Sequence, residues 1–334
     1  MTAADRLVTP PWTNVYGVAR TLVALGTAGT LALSSADTLF RPVATIGAFP
    51  TCEGATSASV FCLADGDSGG LTWLKWLCVL VLLIAASGWR PRFTALPHAY
   101  VNYSVFSGIA ISDGGDQIGL VLSMLFVLPA LGDPRRWHWQ APPPHTDTSA
   151  YRSWALIGTS GLVMLRLQMS LVYFNASVAK LPHAEWYDGS AMWYWSTNAS
   201  FGAPPWLDAF VRPVVSTSLG VALMTWLPLL IELSLAAALL LPQRIRYQAL
   251  WAGLLFHASI GLMMGLWSFG LAMAGGLIVL CLPHGSTITR RRSPAPPAPE
   301  PARPKDSNEA EAEATPNTGT GTGTGHDPAS PVRV

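Results

Sequence analysis

Eight stretches of this chain are apolar over lengths that a soluble fold rarely tolerates and a bilayer requires: 15–35, 71–87, 96–111, 117–131, 154–177, 215–241, 247–264 and 266–282. A helix that crosses a hydrocarbon core needs about 20 such residues, with a range of roughly 17–25. The third and fourth stretches are short and polar for spans. The last two form one apolar block whose length forces two spans, with the turn at Gly265 to Gly270. Half of the residues are hydrophobic and 12% are charged, against about 25% charged in soluble domains. The predicted fold is therefore all-α, a polytopic transmembrane helix bundle. The 14 tryptophans suit interfacial aromatic belts. A net charge of +1, with no basic patch interleaved with aromatics, argues against a nucleic-acid partner.

The basic residues orient the spans. Arg6 precedes the first; Arg90 and Arg92 follow the second; Arg135, Arg136 and Arg152 follow the fourth; Arg244 and Arg246 follow the sixth; Arg290, Arg291 and Arg292 follow the last. In an eight-span chain all of these lie on one side, and Arg41, Lys180 and Arg212 lie on the other. The positive-inside rule then makes both termini cytoplasmic. A cleaved signal peptide ending near Ala36 is the alternative for the first span, but the residues ahead of it favour an uncleaved helix. On this orientation the polar loop flanked by Cys52 and Cys62 faces outward, where a disulfide is expected; in a cytosolic loop they would be free thiols. Cys78 and Cys281 lie in apolar runs and are expected to be inert. Residues 1–285 are expected to form the transmembrane domain. Residues 286–334 form a Pro/Ala-rich, then acidic, then Thr-Gly-repeat tail. That composition cannot bury enough apolar area to offset chain entropy, so a disordered cytoplasmic tail is expected.

Ionisable groups within spans are costly, which makes them functional candidates. Arg20 and Lys75 are near span ends and are expected to snorkel. Arg166, Glu232 and His257 each fall about ten to twelve residues from the cytoplasmic end of a span, a matched depth of roughly 15–18 Å. Arg166 and Glu232 are expected to pair there. The trio forms either a structural lock or a polar floor beneath a cavity. Arg166, Ser170, Tyr173, Ser177 and Lys180 share one stripe of the fifth span if its helix reaches Lys180. That stripe reads as the wall of a polar cleft or as a packed face with a snorkelling lysine. Trp186, Tyr187, Trp193, Tyr194 and Trp195 follow at once and would either exclude water from Lys180 or lie in the headgroup layer. His183, Glu185 and Asp188 are nearby partners for its charge. Asp113-Gly-Gly-Asp116 is expected to be a turn rather than a cation site. No metal-ligand spacing, CxxC or phosphate-binding glycine loop is present.

Five motifs occur in order: Pro11-Trp-Thr-Asn-Val-Tyr16, Ser87-Gly-Trp-Arg-Pro-Arg92, Asp113-Gly-Gly-Asp-Gln117, Arg135-Arg-Trp-His-Trp139 and the stretch from Tyr173 to Gly189. Together they resemble the sporulation-delaying protein B family over about residues 10–285. That family is bacterial and membrane-bound, and helps make a secreted peptide toxin active. It belongs to the horizontally transferred transmembrane domain group, which is similar to the membrane region of vitamin K-dependent gamma-glutamyl carboxylase. The resemblance implies that Lys180 stands where the carboxylase has the base that deprotonates its quinol. It implies that Glu232-Leu-Ser stands for an acidic Asp-Leu-Ser, His257 for a functional histidine and Asn102 for an asparagine of the quinone site. Lys180 and His257 are thus candidate catalytic residues, and Asn102, Tyr103, Arg166, Glu232 and Trp186 are candidate contacts of a vitamin K-like quinol.

The chain departs from the carboxylase at Tyr103, where that enzyme has histidine. It also departs in the large domain that binds the carboxylase's protein substrate, which has no counterpart expected here. The implied function is maturation or export of a secreted peptide toxin, by a carboxylase-like modifying activity with Lys180 as base. The expected partners are the peptide precursor, a partner maturation protein and membrane lipid. Two other classes stay open: a non-catalytic membrane scaffold, and a transporter of lipid or small molecules using the Arg166–Glu232–His257 floor. The absence of an inverted repeat weighs against transport.

Overall fold

In a computed structural model, the described residues are 10–64, 67–146 and 148–288. The expected tail lies, beyond residue 288, outside the described residues, as do Arg6 and Arg290–Arg292. Eight long helices carry the fold: α1 Asn14–Leu33, α2 Ser68–Ser87, α3 Pro91–Gly108, α4 Gly114–Leu131, α5 Ser149–Lys180, α6 Ser218–Ala236, α7 Gln243–Met264 and α8 Trp267–Cys281. They coincide with the eight apolar stretches. By length and apolarity α1, α2, α4, α5 and α6 can each cross a membrane. The other three are less apolar or, in α8, only 15 residues long. Among the described residues, extended pairing is limited to two isolated bridges.

Local chemistry sets the helix ends. Asp67, Thr148 and Thr217 accept from the backbone N–H of Gly70, Tyr151 and Gly220, capping α2, α5 and α6. Gly88 and Gly265 end α2 and α7 in the left-handed conformation that only glycine adopts without strain. Asp113 caps α4 by accepting from Gly115 and Asp116, and the Asp116 carboxylate returns an acceptor to the Asp113 N–H. The Asp-Gly-Gly-Asp motif is therefore a reciprocal helix cap, which accounts for the turn.

Helices α1 and α8 lie at the centre. Helix α8 packs on α1, α4, α5 and α7, and α1 packs on α2, α4 and α8. Small residues let the two backbones meet: a Cβ on Gly275 would sit 2.7 Å from the Ala19 carbonyl oxygen, and one on Gly26 2.9 Å from that of Ser268. Close approach of this kind replaces the hydrophobic drive that helices in lipid lack. Outward faces are apolar, with Leu80, Leu83, Leu171, Leu230 and Leu255 exposed, as a lipid-facing surface requires.

Arg20 and Lys75 depart from the snorkelling expected of them. Arg20 is fully buried, and its Nη2 donates to Thr94 Oγ1 at 2.7 Å. Lys75 is buried and donates to the Ser34 carbonyl at 2.9 Å, satisfying an orphan acceptor just past the end of α1. Each charged head instead ends on a partner that a neighbouring segment supplies.

The even helix count brings both ends of the described chain together: Asn14 and Ile288 exchange two hydrogen bonds, of 2.7 and 2.8 Å. At the same end, the connection from α4 to α5 folds over the turn from α2 to α3. Arg90 N donates to the Arg136 carbonyl and His138 N to that of Gly88. A buried Arg135–Asp133 pair at 2.7 Å braces this cover. Burial, aided by the nearby Arg20 and Arg135 charges, pushes the His138 imidazole down to about 3. At the opposite end Cys52 and Cys62 are disulfide-bonded, with Cα atoms 5.7 Å apart, while Cys78 and Cys281 are buried thiols.

Candidate functional site

Helix α5 runs unbroken to Lys180, so the five-residue stripe is real, and its residues face α6, α7 and α8. Side chains on a helix lean toward its N-terminus. Lys180 therefore reaches back into the bundle, and its Nζ donates to both carboxylate oxygens of Glu232 on α6, at 2.5 and 2.6 Å. Glu232 is 6% exposed and Lys180 23%, so the pair is closed on the helix side and partly open at its end. Trp186 covers it, with its ring centre 5.1 Å from Nζ, a distance at which a cation is attracted to the indole face. Helix α6 holds that cover: Trp226 Nε1 donates to the Trp186 carbonyl at 3.2 Å, and Thr225 Oγ1 accepts from Met192 N at 3.1 Å.

Two turns below Lys180, about 10 Å along the helix, the buried Tyr173 hydroxyl lies 2.9 Å from His257 Nε2 on α7. His257 Nδ1 has no protein partner. Phe269 stands edge-on to the imidazole at 5.3 Å. Ser177 donates to the Tyr173 carbonyl, and Ser170 to that of Ala236 at the end of α6. The stripe thus presents an ammonium–carboxylate pair at the mouth and a phenol–imidazole couple behind it. Both are arrangements through which a proton can pass.

Arg166 does not join them. Its guanidinium donates to the carbonyls of Val279 and Leu282, 2.8 and 2.6 Å away. Arg246 adds a bond to Leu280 and Gln243 one to Cys281. Together they cap the C-terminal end of α8, where unpaired carbonyls concentrate negative charge. The expected Arg166–Glu232 pair and the shared floor with His257 are therefore replaced: Glu232 belongs to Lys180, His257 to Tyr173 and Arg166 to α8. Equal counts from span ends did not mean equal depth, because α5 extends well past its neighbours at the end where it begins. Nor do His183, Glu185 or Asp188 pair with Lys180. Of the aromatic cluster only Trp186 touches it, while Tyr187 is 82% exposed and Trp193, Tyr194 and Trp195 are also exposed. A shallow pocket of about 470 Å³ opens beside this cover, lined by Glu185, Asp188, Ser190, Tyr194, Trp195 and Asn198 among others.

Asn102 and Tyr103 lie elsewhere. Buried Asn102 on α3 accepts from Thr27 Oγ1 at 2.6 Å and donates to the His98 carbonyl. Tyr103 donates to the Ala55 carbonyl in the disulfide loop. Helix α3 packs on α2 and α4, and α4 in turn on α5. The residues present therefore do not fit one quinol ring held by Asn102 and deprotonated by Lys180, and no step is derived through that group. Among the described residues no cluster of metal-ligating side chains occurs. Sequence reasoning missed the Lys180–Glu232 and Tyr173–His257 pairings. The N-terminal lean of helical side chains was the available signal for the first.

The HTTM domain model matches residues 152–284, the part of the chain that holds both pairs. The uncharacterized protein YitO of Bacillus subtilis (strain 168) is 35% identical over 278 residues, covering 83% of this chain and 88% of that protein. Sporulation-delaying protein SdpB of the same strain is 33% identical over 279 residues, covering 84% of each. No solved structure matches.

Proposed function

The chain belongs to the SdpB-like family of HTTM-domain membrane proteins, and from that premise we propose that it serves the maturation or export of a secreted peptide toxin. The observation that carries the reading is the Lys180–Glu232 pair, partly open beneath Trp186 at the end of the polar stripe. A buried charge pair in an apolar bundle contributes little net stability over a packed apolar pair, so its placement at a mouth favours function. In the catalytic form of the reading, Lys180 passes its proton to Glu232 and the resulting amine takes a proton from a peptide group seated beside Trp186. Tyr173 and His257 form the wall behind. The peptide approaches over the pocket lined by Tyr194 and Trp195.

The reading places this mouth outside the cell and both chain ends in the cytoplasm. Support comes from Arg90 and Arg136 in connections, and Arg92 and Arg244 in the first turns of α3 and α7, at the Asn14–Ile288 end, and from the disulfide at the other.

The same pair also ties α5 to α6, which favours a scaffold as second reading. Mass spectrometry of the secreted peptide from strains carrying wild type, Lys180→Ala or Lys180→Arg separates them. Arginine keeps an ion pair but does not give up its proton. The catalytic reading expects unmodified peptide from both variants at normal membrane levels of the protein. Mature peptide from Lys180→Arg would reject catalysis and leave the scaffold; mature peptide of equal mass and yield from both variants would reject both roles for the pair.

A further inference from the structure

A second polar cluster lies in the half of the molecule that the site above does not use. On α1, Arg20 and Thr27 bond to α3, where Thr94, His98 and Asn102 follow at intervals of four and so share one face; Tyr16 lies one turn before Arg20, against Phe126 and His138. All six are buried. Two rungs of this seam are closed: Arg20 Nη2 donates to Thr94 Oγ1 and Thr27 donates to Asn102 Oδ1. Around the rung between them the bonding fails. Arg20 Nε and Nη1, both ring nitrogens of His98 and the Tyr16 hydroxyl have no protein partner. Arg20 and His98 are 0% exposed and Tyr16 1%.

The charge is unbalanced in the same place. Arg20 makes no ion pair; the nearby carboxylate of Asp133 is engaged by Arg135 at 2.7 Å. Two guanidiniums against one carboxylate leave one positive charge without a counter-charge. A buried, unpaired ion costs several kcal/mol by the usual magnitudes. Arg20 is also not a residue that sheds its charge. What the unpartnered atoms ask for follows from their chemistry. Arg20 offers only donors, while neutral imidazole and phenol each add one. A group rich in acceptors and carrying one negative charge completes the set. Arg20 lies about 9 Å along α1 from its start and is fully enclosed by its neighbours.

We propose that the α1–α3 seam is a binding site for a single oxyanion, a lipid phosphodiester or free phosphate, held by Arg20, His98 and Tyr16. The site is independent of the Lys180–Glu232 reading and shares no residue with it. The test uses the full chain, delipidated in neutral detergent, and follows its thermal midpoint on addition of phosphatidylglycerol, of neutral diacylglycerol or of inorganic phosphate. Wild type is expected to gain several degrees, saturably, with the phospholipid and nothing with diacylglycerol. Arg20→Gln and His98→Phe are expected to lose at least half of that gain, while Arg212→Gln, on an exposed surface pair, keeps it. A gain with inorganic phosphate as well identifies a free oxyanion as sufficient; a gain with phospholipid alone identifies the headgroup. If Arg20→Gln does not fold, His98→Phe decides. No gain in wild type, or the same gain in wild type and His98→Phe, overturns the site.

Discussion

At Lys180 the side chain bonds a carboxylate below it while its end stays partly open. Removing one partner strands the other. Glu232→Gln is expected to lower stability by about 1–2 kcal/mol, less than for a fully enclosed pair because Lys180 is partly exposed and partners in membranes re-form elsewhere. A Lys180→Met/Glu232→Leu double variant is expected to recover most of that loss in a thermal scan in detergent; a double variant less stable than the single one would contradict the assignment. His138 supplies a pH effect of defined sign. Its imidazole is held neutral in the fold, at about 3 against an ordinary 6.5, so below pH 6.5 the unfolded chain binds the extra proton. Stability is then full above about pH 6.5 and falls as pH drops, by about 2 kcal/mol at pH 5 for this group. His138→Asn is expected to flatten the midpoint-versus-pH curve between pH 7.5 and 5; an unchanged slope would remove His138 as its source.

Helix α8 is the element on which the rest converge, and its short length makes its end important. Four carbonyls from Val279 to Leu282 accept from Arg166, Arg246 and Gln243. That makes Arg166 a cap, and Arg166→Gln a stability variant with a local signature. A loss of about 1–2 kcal/mol is expected from the lost charge-assisted bonds and dipole interaction. Faster amide exchange confined to the last turn of α8 would accompany it. Slowed peptide maturation with unchanged exchange at 279–282 would return Arg166 to the functional stripe. The helices themselves were legible in the sequence, since apolar length is local, while their caps were not: Asp113 reads as part of a turn and Thr217 is not singled out. Which face of each helix met which neighbour was not. Arg166, Glu232 and His257 looked equally deep by residue count. Yet α5 runs 32 residues against 19 in α6 and 22 in α7, so span ends are not a common reference.

For the whole molecule, the arrangement of ends is the testable property. The disulfide loop and Lys180 lie at the end opposite the Asn14–Ile288 clasp. In intact cells treated with reductant, an impermeant maleimide is expected to label Cys52 and Cys62 and to leave Cys78 and Cys281 unlabelled. Labelling only after lysis would invert the orientation. The shorter helices, such as Pro205–Val215, were not determined by the sequence alone. The sequence by itself determined the eight long helices and their positions, the membrane setting and the family resemblance. Each rests on apolar length, charge placement or local motifs, which need no knowledge of neighbours. Tertiary structure decided the pairings: Lys180 with Glu232, Tyr173 with His257, Arg166 with α8, and Arg20 buried against Thr94 rather than snorkelling. The physical reason is that a charge inside a bundle takes whatever partner helix packing brings within about 3 Å. That packing is set by where small residues such as Gly26 and Gly275 let backbones touch, and not by spacing along any one helix.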